Sequence, residues 1–203
     1  MSVYVTKALG EALIELMKTE AIEKITVDEL TGKAGIGRAT YFRNFNGKED
    51  ILTSFIVWKW RVFEKERRLR EHRIDAPYRV AHYFRFCYSL REINDLILAQ
   101  HRHGAILAAY EIIFRDYDLE EQQDTFARSY MAYGLYGVFL KWAKEGYVQT
   151  PAEMADIVIH QILRDYRMEA VESLTLFPAH SPAHTKPEAP APAQIAPPHH
   201  SFP

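Results

Sequence analysis

Between Lys33 and Lys48 the sequence holds four basic residues, Lys33, Arg38, Arg43 and Lys48, and no acidic one. Two guanidinium forks and two ammonium groups in one short stretch suit an anionic partner. Other reactive side chains are sparse. His101-Arg102-His103 brings two imidazoles together, and Asp156 with His160 has helix-face i,i+4 spacing, but neither supplies the three or four ligands of a metal site. Cys87 lies between Phe86 and Tyr88 and reads as a small buried hydrophobe. His180, His184, His199 and His200 are too scattered for a defined site. With no His-Glu-x-x-His, Gly-rich phosphate loop or Cys-x-x-Cys, the expectation is no enzyme, no cofactor and no metal. The net charge of −2 argues against a chain that coats polyanions through bulk charge, so the placement of charge carries the signal.

The elements around the basic stretch are helical. Val5, Leu9, Ala12, Leu13 and Leu16 have the spacing of one apolar helix face. Thr26-Val27-Asp28-Glu29 has the form of a capping box, which predicts a helix over 27–34. Gly35-Ile36-Gly37 then supplies a turn in which glycine permits positive φ and Ile36 reaches the core. A further helix is expected over 38–45. Asn46-Gly47 breaks it, and a long helix from Lys48 to about 70 turns Ile51, Leu52, Phe55, Ile56 and Phe63 inward. Later helices are expected at about 91–100, 104–116, 121–145 and 151–170. No segment alternates as a half-buried strand would, so the fold class is all-α.

Two short helices joined by a Gly-containing turn are a helix-turn-helix, whose second helix enters the DNA major groove. Ile25 to Leu30, followed by Ala34-Gly35-Ile36-Gly37-Arg38-Ala39-Thr40-Tyr41-Phe42-Arg43-Asn44-Phe45-Asn46-Gly47-Lys48-Glu49-Asp50, resembles the DNA-binding signature of the TetR/AcrR family of transcriptional regulators. The resemblance covers roughly residues 6–60. It implies an N-terminal three-helix reader and a larger C-terminal effector and dimerisation domain, with the DNA contacts drawn from Thr26, Gly37, Arg38, Ala39, Thr40, Phe42, Arg43, Asn44 and Lys48.

The chemistry of each side chain fits a role. Arg38 matches guanine O6 and N7, Gly37 and Ala39 allow close approach, Thr40 suits a phosphate, and Arg43 suits a base edge or phosphate. Lys48 and Thr26 open helices whose amides favour phosphate. Tyr41 and Phe45 are expected in the small core. The family commonly has tyrosine where this chain has Phe42, which lacks the hydroxyl that would bond a phosphate; Asn44 or Tyr41 could substitute.

Beyond Pro77 aromatic residues become dense. Tyr83, Phe86, Tyr88, Tyr110, Phe114, Tyr130 and Tyr133 are the candidates to line a pocket for a small apolar or aromatic effector, or else to form an aromatic core. Gly134, Gly137, Val138 and Trp142, with Met154, Ile157, Val158 and Ile162, are the expected homodimer interface. The resemblance supplies the bundle of last helices across a twofold axis.

The expected division is a reader over 1–47, a connecting helix over 48–76, an effector and dimerisation region over 77–177, and a tail over 178–203. Eight of ten prolines lie in that tail, whose Pro, Ala and His composition predicts disorder. The single cysteine and the want of a signal run in 1–18 predict a cytoplasmic chain. The longest apolar run, Met131–Leu140, is half the length of a bilayer span, so no membrane partner is expected. Together these features predict a dimeric repressor that leaves a palindromic double-stranded operator when an effector binds. The alternative is a helical ligand- or partner-binding protein with a reader weakened at Phe42.

Overall fold

A computed structural model of the chain describes residues 2–72, 77–115 and 124–162. Residues 1–165 form one compact unit, and the second unit, 166–203, lies outside the described residues. The tail over 178–203, the expected helical extension from 163 to 170 and the start of the 121–145 helix therefore lie outside them as well.

The described residues contain helices and no strand, in the order α1 (Val3–Met17), α2 (Val27–Ala34), α3 (Arg38–Asn44), α4 (Lys48–Glu66), α5 (Pro77–Ser89), α6 (Arg91–Ala99), α7 (His103–Arg115), α8 (Asp124–Lys144) and α9 (Pro151–Asp156). The fold is all-α. Among the described residues no helix is long and apolar enough to cross a membrane. The long helix expected from Lys48 to about 70 stops sooner. Arg68 takes left-handed backbone (φ 53°), and a short 3-10 turn, Leu69–Glu71, follows. This break buries Leu69 completely. At the other end, α9 continues as a π-helical turn, Ile157–Ile162.

The apolar spacing of α1 does what helical geometry requires. Val5, Leu9, Ala12 and Leu13 are buried, and Leu16 is half-buried. The opposing face is α4, with Ile51, Leu52, Phe55 and Ile56 buried. These two helices approach so closely that a side chain at Gly10 would collide with the Phe55 ring, a Cβ there standing 2.2 Å from its Cδ2. Glycine is needed at that crossing for want of space, since its backbone is ordinary helix.

The later helices close over α4. Thr53 donates a buried hydrogen bond from Oγ1 to the Ala105 carbonyl of α7 at 3.1 Å. Trp142 of α8 is buried, with its ring edge-on to Phe84 at 5.7 Å and its Nε1 donating to the Gln149 carbonyl at 3.0 Å. Gly146 (φ 73°) ends α8. The chain then re-enters helix at a complete capping box: Thr150 accepts from the Glu153 amide, and the Glu153 carboxylate accepts from the Thr150 amide at 2.7 Å. Thr26, where the sequence motif predicts a reciprocal box, forms only the first of those bonds, accepting from the Glu29 amide at 3.1 Å.

Because the α1–α4 crossing has no room at Gly10, Gly10→Ala is expected to force a backbone shift and cost about 1–3 kcal/mol. A urea titration would read this as a lower midpoint at unchanged slope.

Candidate nucleic-acid interface

The helix-turn-helix begins with α2, where Thr26 caps the first turn and Asp28 and Glu29 complement its positive end. Gly35 ends it in the left-handed region (φ 64°), a conformation that strains any residue with a Cβ. Ile36 then turns into the core, and Gly37, in extended backbone, opens α3. Only one of the two turn glycines therefore uses positive φ.

Along α3 the residues sort by face. Tyr41 and Phe45 are buried, whereas Gly37, Arg38, Ala39, Phe42 and Arg43 are exposed, with Thr40 and Asn44 between. Positions 38, 39, 42 and 43 share one side of a helix, so the two arginines and the phenyl ring form a single outward surface. Arg38 is ion-paired with Asp28 of α2, and its guanidinium carbon lies 5.9 Å from the Phe42 ring centre. The Tyr41 ring holds Phe42 edge-on at 5.0 Å. The amide of Asn44 donates to the Thr40 carbonyl at 2.7 Å, so it serves the end of α3. Burial and the nearby Asp50 carboxylate raise the Tyr41 hydroxyl above its ordinary pKa, keeping it neutral. A buried Tyr41 is a poor substitute for the hydroxyl missing at Phe42.

Lys48 takes a different place from the one its helix-opening position suggests. Its ammonium donates to the carbonyls of Ile22, Glu23 and Ile25, the last at 2.7 Å. Three donors meet three backbone acceptors, so its charge is spent holding the α1–α2 connection in place of reaching outward to a phosphate.

Two residues that sequence reasoning missed hold the same connection. Gln100, just after α6, accepts from the Ile22 amide at 2.8 Å and donates to the carbonyls of Met17 at 2.8 Å and Glu20 at 3.1 Å. Arg102 pairs with Glu23 and, at 2.9 Å, with Glu49. Sequence separations of about eighty residues leave no local pattern by which to find such bonds.

The expected effector residues divide. Tyr83, Phe86, Tyr110 and Phe114 line one cavity with Trp60, Arg79, Val80, Ile113 and Leu135. Its free volume is about 30 Å³, enough for a few waters at about 10–15 Å³ each. Tyr83 and Tyr110 bond through their hydroxyls at 2.6 Å, and Tyr83 donates to the Leu135 carbonyl at 3.0 Å. Burial holds both hydroxyls well above the usual tyrosine pKa. Cys87 joins them, its thiol 3.5 Å from the Tyr110 hydroxyl and pushed up by burial to about 12. It is an inert protonated thiol at neutral pH. In the cavity wall the buried Arg79 faces the buried Glu64 carboxylate at 3.6 Å and donates to the His72 carbonyl at 3.1 Å.

The other three expected lining residues are elsewhere. Tyr88 is partly exposed and stacks beside Trp142, while Tyr130 and Tyr133 point outward from α8, Tyr133 donating to Glu111. α8 is apolar on both sides, so spacing alone did not separate its inner from its outer rings.

The residues expected between protomers divide as well. Trp142, Met154 and Val158 are buried within the protomer, where α9 packs on α5, so their apolar surface is already covered. Gly134 and Gly137 are exposed, Val138 and Ile157 are half-buried, and the side chain of Ile162 lies outside the described residues. His160 and Asp156 form a surface pair at 2.7 Å. No cluster of three metal-ligating residues occurs among the described residues.

The family model described as a transcriptional regulator C-terminal region, of TetR type, matches residues 91–164. Among proteins of curated function none matches the sequence. Among solved structures, the chain is similar to the dihydroxyacetone kinase operon activator DhaS, at 15% identity and a TM-score of 0.52, over 82% of this chain and 98% of that one. It is also similar to the fatty acid degradation regulator FadR from Bacillus halodurans, at 14% identity and a TM-score of 0.44, over 80% and 98% of the two chains. At these identities the likeness to DhaS is one of fold: an N-terminal helix-turn-helix and a C-terminal helical region. The exposed face of α3 and the grip of residues 100–102 on the α1–α2 connection are properties of this chain's own residues.

Gln100→Leu keeps the side-chain volume and removes three hydrogen bonds to the α1–α2 connection. It is expected to lower unfolding free energy by about 1–3 kcal/mol, and amide exchange should rise first at Ile22.

Proposed function

We propose that the chain is a dimeric DNA-binding regulator whose α3 enters the major groove of a palindromic operator, and that a small apolar or aromatic effector releases it. The observation that carries this reading is the sorted face of α3. Tyr41 and Phe45 anchor the helix from below, and Arg38, Ala39, Phe42 and Arg43 stand outward on a helix that follows a capped partner and a left-handed glycine turn. Basic and small residues on the outer face of a second helix are what groove entry requires. In this reading residues 1–47 are the reader, 48–76 the connector, and 77–177 the effector and dimerisation region.

Dimerisation is supported by α8. Phe126, Tyr130, Tyr133, Gly134 and Gly137 are all exposed and follow one another at helical spacing. An outward aromatic and glycine stripe on a helix whose other face is buried suits a self-complementary contact. Two readers then sit about 34–36 Å apart, one turn of DNA.

Effector control is supported by the aromatic cavity and its position. Its walls come from α4, α5, α7 and α8, and α4 carries Lys48 at its start. A pocket for a drug-sized molecule needs about 300–1,000 Å³, so an effector has to part these walls, and the strain falls on the helix that ends at the reader. An effector favouring the parted state thereby draws the population away from the operator-competent one.

Genomic fragments enriched on the wild-type protein should share a palindrome, with affinity falling steeply as salt rises. Arg38→Ala should lower affinity for that palindrome by at least about tenfold with helical circular dichroism unchanged; equal binding by the variant would remove α3 from the reading. The Cβ position of Gly137 faces open space, so Gly137→Arg should fold normally but run as a monomer in light scattering at micromolar concentration, where the wild type runs as a dimer.

A further inference from the structure

Phe42 is 60% exposed. Among the described residues of α2 and α3 it is the large apolar side chain left facing water, on the same outward face as Arg38. Two contacts restrain it. The Tyr41 ring supports it edge-on from the core side at 5.0 Å, and the Arg38 guanidinium carbon lies 5.9 Å from its centre. Arg38 is in turn tied to Asp28, so ring and guanidinium are presented together. A phenyl ring has no donor or acceptor for a phosphate oxygen, which rules out the backbone-positioning role a hydroxylated ring would take. The major groove offers one apolar group to such a ring, the C5-methyl of thymine.

We propose that Phe42 is a specificity-determining residue that packs on the methyl group of a thymine, close to the guanine contacted by Arg38. The proposal rests on the DNA-binding reading above. Helical geometry sets the distance between the two contacts. Four residues advance about 6 Å along α3, and base pairs are spaced about 3.4 Å apart, so the thymine lies within about two base-pair steps of the guanine. The Arg38 fork supplies a polar readout, the ring an apolar one, and their contact orients one relative to the other. Each half-site is thereby read as guanine plus a nearby thymine.

The test uses the full chain and a duplex recovered by selection from a randomised pool. Each thymine of the recovered duplex is replaced in turn by deoxyuridine, which deletes the methyl group and leaves pairing intact. For the wild type, one thymine per half-site should be sensitive, its replacement weakening binding about fourfold per methyl. In Phe42→Ala that penalty should vanish while penalties elsewhere persist, and in Phe42→Tyr, which keeps the ring, it should remain. An unchanged melting temperature for Phe42→Ala is expected, since the side chain lies outside the core. Uracil tolerated at every position by a wild type that binds the duplex overturns this proposal alone, as does a penalty that survives in Phe42→Ala. A wild type that enriches no duplex overturns the DNA-binding reading and this proposal with it.

Discussion

The segment between α1 and α2 has only Ile22 and Ile25 to bury, and it leads into the first helix of the helix-turn-helix. Its place is fixed by polar side chains that arrive from other elements: Lys48 from the start of α4, Gln100 from the end of α6 and Arg102 from the turn before α7. An amide side chain with both donors and its acceptor engaged has little freedom to rotate, and an ammonium ringed by carbonyls is equally confined. The α1–α2 connection is therefore held in a frame whose corners belong to α4 and the α6–α7 turn. Any shift of that turn reaches α2 through hydrogen bonds whose loss leaves partly buried backbone groups unpaired, which is costly.

The aromatic cavity beside α4 is narrow. Its walls are apolar apart from the tyrosine pair and Arg79, and the free space within suffices for only a few waters. Close-packed aromatic rings resist partial opening. From this cavity α4 runs back to Lys48. The same helix thus lines the cavity at Trp60 and supports the α1–α2 connection at its first residue.

The fold was largely legible in the sequence because helices announce themselves locally. Thr26, Gly35 and the apolar spacing of α1 and α4 marked boundaries that the structure keeps, and the buried pair Tyr41 and Phe45 orients α3 as expected. The motif at Thr150-Pro151-Ala152-Glu153 carried the same kind of signal and went unread, although it forms the fuller capping box. What could not be read were the long-range choices. Lys48 looks like any helix-opening cation until the carbonyls around it are known. Tyr83 and Tyr133 are equally aromatic in sequence, yet one is buried and the other faces solvent. Met154 and Val158 form an apolar stripe whichever surface covers it, and α5 of the same protomer does so. Local periodicity says that a face will be buried but not against what.

The clamp on the α1–α2 connection has a consequence for how this chain tolerates change. Apart from Glu23, which meets Arg102, the gripped atoms of residues 17–25 are main-chain amides and carbonyls. Every residue type offers the same carbonyl, so exposed side chains there, such as Lys24, are free to drift without loosening the grip. Selection would fall on the three side chains that do the holding, far away in the sequence, while the segment being held varies. A region can in this way be geometrically invariant and compositionally permissive at once.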